Sequence, residues 1–102
     1  MKPDIFADIE FLKTSEGGRR KPIPKKCKFI GFPFVHDGEY NDCRLILESF
    51  GEIKPGEEIK EVPIAFLCPE LVLPKIREGQ EFDLWEAGIK AKGKILKILK
   101  NV

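Results

Sequence analysis

Apolar and polar residues alternate along most of this chain, and alternation is the period of a half-buried strand rather than of a helix. Ile5, Ala7, Ile9 and Phe11 alternate with Asp8 and Glu10 and predict a first strand. Glu16-Gly17-Gly18-Arg19 is glycine-rich turn chemistry. Pro22 and Pro24 hold the next stretch extended while removing two ladder donors, as at a sheet edge. A second strand is expected over Lys25 to Phe34, with Cys27 and Phe29 on one face and Lys26 and Lys28 on the other. The stretch from Val35 to Asp42 reads as a polar connection, and Cys43, Leu45 and Leu47 alternate with Arg44 and Glu48 to mark a third strand.

Pro55-Gly56 is the next turn, and the fourth strand after it changes phase. Ile59 lies on one parity, Val62, Ile64 and Phe66 on the other, and a β-bulge near Glu61 reconciles them. Glu70 to Ile76 is a short apolar connection. Phe82 and Leu84 alternate with Glu81, Asp83 and Trp85 in a fifth strand, and Ala87-Gly88 makes a tight turn. The sixth strand carries Lys90, Lys92 and Lys94 on one face and Ala91, Gly93 and Ile95 on the other. Residues 95–100 also fit the spacing of an amphipathic helix, but Gly93 weakens a helix start and favours strand. Six short strands separated by glycine and proline turns predict an all-β barrel or sandwich.

A chain of 102 residues with 42% apolar and 34% charged residues is the size of one globular domain with one core, spanning 1–102. No apolar run approaches the roughly 20 residues of a bilayer helix. Met1-Lys2-Pro3-Asp4 lacks the basic-then-apolar layout of a secretion signal, so a cytoplasmic location is expected. Cys27, Cys43 and Cys68 are odd in number and contain no Cys-x-x-Cys pair, which argues against a disulfide framework and against a zinc site with His36. No metal and no cofactor is expected.

Catalytic chemistry finds little footing. His36 is the sole histidine, and its neighbours Asp37-Gly38 read more simply as turn residues than as an acid–base pair. Ser15 and Ser49 lie in turn-like settings with no nucleophile elbow. Charge, by contrast, is segregated. Arg19, Arg20, Lys21, Lys25, Lys26 and Lys28 crowd ten residues without an anion, and Lys90, Lys92 and Lys94 form a second basic stretch around a largely acidic middle. Side by side, the two stretches would form a cationic surface suited to phosphates.

In order and spacing, these features resemble the third domain of elongation factor Tu. The resemblance covers Ile9 to Leu99: Glu16-Gly17-Gly18-Arg19 after the first strand, Pro22 behind it, Pro33-x-Val35 in the second strand region, Pro55-Gly56 before the fourth strand, Leu67-Cys68-Pro69 at its end, and the Phe82-Asp83-Leu84-Trp85-Glu86-Ala87-Gly88 hairpin. It implies a single six-stranded antiparallel Greek-key barrel, here as a stand-alone relative of a domain that helps grip tRNA. No phosphate-binding loop of the Gly-x-x-x-x-Gly-Lys-Ser/Thr type exists in the chain, so no nucleotide is expected.

Where the family has arginines, this chain has Phe32, Trp85 and Ile89; only Arg19 keeps its charge. Phe32, Phe34, Trp85 and Ile89 therefore form a candidate protein interface. The expected function is a non-catalytic binding or adaptor module that contacts a protein partner or a second copy of itself. The alternative is RNA or ribonucleoprotein binding through the nine basic residues, in a translation-related role.

Overall fold

The computed structural model describes residues 1–99, of which six strands make up nearly half. They are β1 (Ile5–Phe11), β2 (Phe29–His36), β3 (Glu39–Ile46), β4 (Glu58–Phe66), β5 (Glu81–Trp85) and β6 (Ile89–Ile98). All neighbours are antiparallel, and the sheet closes in the order β1-β4-β3-β2-β5-β6. Consecutive strands β2, β3 and β4 lie side by side and β5 returns to flank β2, which is the Greek-key arrangement. Closure leaves few strand edges for a small domain to guard.

Each strand turns one parity inward. Ile5, Ala7, Ile9 and Phe11 from β1 meet Phe32, Phe34, Leu45, Val62, Ile64, Phe82, Leu84, Ala91 and Ile95 in one core. Phe34 stacks on Phe82, with ring centroids 4.3 Å apart, and meets the ring of Phe66 edge-on at 4.9 Å. Such pairs are worth about 0.5–1.5 kcal/mol beyond the area they bury. Among the described residues His36 and Asp4 are the two buried polar or charged ones, and the Phe66 N–H donates to Asp4 Oδ2 at 2.8 Å.

The two ends of the barrel are closed differently. At one, the connection after β4 forms α1 (Pro69–Val72) and a 3₁₀ turn (Leu73–Lys75), which bury Val72 and Leu73. β1 begins and β6 finishes at this end, with Ile5 opposite Ile98. At the other end, the long β1–β2 connection crosses over and bridges to the β3–β4 connection through reciprocal backbone hydrogen bonds between Ile23 and Ile53 (2.8 and 2.9 Å). Both isoleucines are buried, so the crossover is pinned by apolar packing despite its basic composition.

The bulge expected near Glu61 is present. Ala7 pairs with Val62 and Ile9 with Ile59, which leaves Asp8 facing Lys60 and Glu61. Glu61 has φ 53°, and its N–H, freed from the ladder, donates to Asp8 Oδ1 at 3.0 Å. The C-terminal tail is strand through Ile98, held by β1, while Lys100 lies outside the described residues.

Two expectations need correction. β2 starts at Phe29 rather than Lys25, because Cys27 N–H bonds back to the Pro24 carbonyl (2.9 Å) in a turn. The stretch from Val35 to Asp42 is not a connection but most of a hairpin. His36 pairs with Glu39 across a two-residue turn whose members, Asp37 and Gly38, have φ of 46° and 76°. Two positive φ values define the turn type whose twist suits a hairpin, and Asp-Gly is a favoured sequence for it.

Candidate functional site

The strand parity that builds the core also decides which candidate residues reach solvent. Phe32 and Phe34 point inward and are 2% and 0% exposed, so they belong to the core and not to an interface. Their strand neighbours Pro33 and Val35, half-buried, take the outward face instead. Trp85 and Ile89 remain at the surface, both half-buried and directly paired across the β5–β6 ladder.

Trp85 leans across β2 to meet Tyr40 of β3 edge-on, with centroids 5.7 Å apart and planes at 78°. Tyr40 is 60% exposed. Its backbone partner in the ladder is Val35, which in turn pairs with Asp83 of β5. The β3–β2–β5 wall thus presents two aromatic rings over an apolar strand, with Asp42 and Asp83 on the same face, while the Glu39 carboxylate is turned to His36 and Lys75. The indole N–H is buried and has no acceptor among the described residues. An acidic rim around open aromatic faces is the setting in which a lysine or arginine side chain is attracted to a ring, by about 0.5–2 kcal/mol.

The nine basic candidates do not form one surface. Lys92 stands between Glu10 of β1 and Asp83 of β5, and Lys94 between Asp8 and Glu81. Directly opposite residues of antiparallel strands are close neighbours on one face, so each lysine is flanked by carboxylates on both sides. Lys90 Nζ donates to the Gly17 carbonyl at 2.9 Å and holds the crossover against the β5–β6 hairpin. Arg19 does the same with a 2.9 Å ion pair to Glu86. That leaves Arg20, Lys21, Lys25, Lys26 and Lys28, all exposed on the crossover and without an ion pair among the described residues.

A groove of about 570 Å³ opens beside the aromatic wall, over β2, β3 and β4. Its floor is the row Gly31–Arg44–Ala65, where two small residues flank an exposed arginine, and Pro33, Asp42 and Leu67 form its sides. His36 is buried beneath the β2–β3 hairpin, with Asp37 and Glu39 carboxylates each 3.8 Å from a ring nitrogen. Among the described residues no group of three histidine, cysteine or acidic side chains is placed to hold a metal ion, and no helix is long and apolar enough to cross a membrane.

Tyr40, Pro33, Val35 and Asp83 are surface members that sequence reasoning passed over. The signal for two of them was the run Phe32-Pro33-Phe34-Val35, apolar at both parities, which names two faces without saying which is outside. No protein-family model matches this chain, and neither does any curated protein.

Proposed function

We propose that the chain is a non-catalytic docking module, built on a barrel of the kind found in the third domain of elongation factor Tu, whose β3–β2–β5 wall receives a cationic segment of a protein partner. The observation that carries this reading is the Tyr40–Trp85 pair, an exposed ring and a half-buried one over an apolar strand, bordered by Asp42 and Asp83. Aromatic anchors with a polar rim are the usual composition of a protein-binding patch. A cytoplasmic location goes with this reading and is supported by three free cysteines.

Trp85 is the sole tryptophan, so its fluorescence reports on this wall directly. Titration with a short lysine- and arginine-rich peptide should shift its emission saturably, and Tyr40→Ala should weaken the effect several-fold. An emission unmoved by the peptide overturns the reading. A second reading, RNA binding, is favoured by the five unpaired cations of the crossover. It predicts that single-stranded RNA binds with strong salt dependence, lost on replacing Arg20, Lys21, Lys25, Lys26 and Lys28 by glutamine.

A further inference from the structure

The β2–β5 ladder is the short side of the barrel. β2 runs over eight residues, but β5 pairs only with Phe34 and Val35, through Leu84 and Asp83. The half of β2 from Phe29 to Pro33 is bonded to β3 alone. The Leu47 N–H donates to the Lys28 carbonyl at 2.7 Å, and Lys28 lies opposite Leu47 in the continuation of that ladder. Because hydrogen-bonded and non-bonded pairs alternate in an antiparallel ladder, Ile30 and Phe32 bond toward β3. Phe29 and Gly31 then turn their N–H and C=O away from it, toward the edge that β5 does not cover. Gly31 is exposed, and a Cβ added there would meet nothing nearer than the Cys43 carbonyl at 3.6 Å.

We propose that this edge is the site of self-association, in which β2 of a second copy adds antiparallel about a two-fold axis near Gly31. The inference rests on the protein-docking reading and names its partner as the chain itself. Strand addition at an open edge is a recurring mode of recognition, and three features make this edge complementary to itself. The two Gly31 residues can exchange N–H and C=O across the axis. Phe29 of one copy then faces Pro33 of the other, which has no N–H to give, and the Phe29 carbonyl already accepts the Cys27 thiol at 3.2 Å. Charge is also antisymmetric along the strand: Lys25, Lys26 and Lys28 precede it, and Asp37 and Glu39 follow it. Antiparallel pairing therefore sets the lysines of each copy toward the acidic hairpin end of the other. Pro33 stops the added ladder, and an isologous two-fold contact closes at the dimer rather than growing into a fibre.

Sedimentation velocity over a concentration series tests the proposal. The wild-type chain should form a dimer that weakens as salt rises from about 50 to 500 mM. Gly31→Lys should sediment as a monomer with unchanged circular dichroism, since its side chain has room on the folded barrel but sets two cations on the axis. Gly31→Pro, which removes only an N–H directed away from β3, should also be monomeric. A wild-type chain that stays monomeric at high concentration, or a Gly31→Lys dimer as tight as the wild type, overturns the proposal. The peptide titration separates the two ideas: a Gly31→Lys monomer whose Trp85 emission still responds to the cationic peptide keeps the docking reading whatever becomes of self-association.

Discussion

Gly93 lies directly opposite Phe82 in the β5–β6 ladder, and the Phe82 ring fills the space where a side chain on Gly93 would stand. The same ring carries the stack with Phe34, so the absent side chain supports the aromatic centre of the core. Gly93→Ala should therefore lower stability by about 1–3 kcal/mol, the usual cost of overpacking. Denaturant unfolding would show it as a reduced midpoint at constant slope. Adding Phe82→Leu should return part of the loss, and strict additivity of the two changes would argue that the contact is not the cause.

The Cys43 thiol should make the fold sensitive to alkali. Burial pushes it from 9.0 up to about 12, with the charge of Asp42 adding to the rise and a backbone hydrogen bond at Phe32 opposing it. The unfolded chain releases this proton near pH 9, whereas the native chain keeps it until about pH 12. Between those values the native state binds more protons, so stability falls as pH rises, by up to about 1.4 kcal/mol per unit from this group. Below pH 9 its contribution is fully present and flat. Measured from pH 8 to 11, the stability of Cys43→Ala should start lower and decline less steeply than that of the wild type. Parallel curves would show that the thiol is not the group responsible.

His36 is buried with neither ring nitrogen hydrogen-bonded among the described residues, and its ring meets Phe34 edge-on at 5.7 Å. An unsatisfied buried polar group costs about 1–3 kcal/mol. His36→Phe keeps the ring contact and removes that cost, so a higher melting temperature is expected. A drop in melting temperature instead would assign the imidazole an ionic role between Asp37 and Glu39.

The bulge in β4 offers two opposed changes. Glu61 is a non-glycine residue at φ 53°, and glycine there relieves about 1 kcal/mol of left-handed strain. Asp8→Ala deprives the Glu61 N–H of its acceptor and should cost about 1–2 kcal/mol. Thermal unfolding of both variants should move in opposite directions. A destabilised Glu61→Gly would mean that its side chain, rather than its backbone, secures the bulge.

These residues also show what the sequence could and could not disclose. The bulge was legible because Ile59 and Val62 cannot share a face without an extra residue between them. The β2–β3 hairpin was hidden, since its Asp-Gly turn sits inside a polar stretch that reads as a loop until Tyr40 and Cys43 are seen paired with β2. The fate of the lysines was beyond reach. Lys92 and Lys94 look like a free stripe along the chain, but their carboxylate neighbours arrive from β1 and β5, far away in sequence. The sixth strand was ambiguous locally and was decided by the strand beside it, as tertiary pairing overrides a marginal propensity.

The pairing of β1 with β6 carries a mechanical consequence. Ile5 and Ile98 stand opposite one another, and the Leu99 N–H closes on the Asp4 carbonyl at 2.8 Å, so the polypeptide enters and leaves the barrel at a single spot. A barrel with adjoining ends could be spliced into a loop of a host protein without spreading the loop's ends. The helix-capped end would then face the attachment, with the basic crossover carried on the far tip.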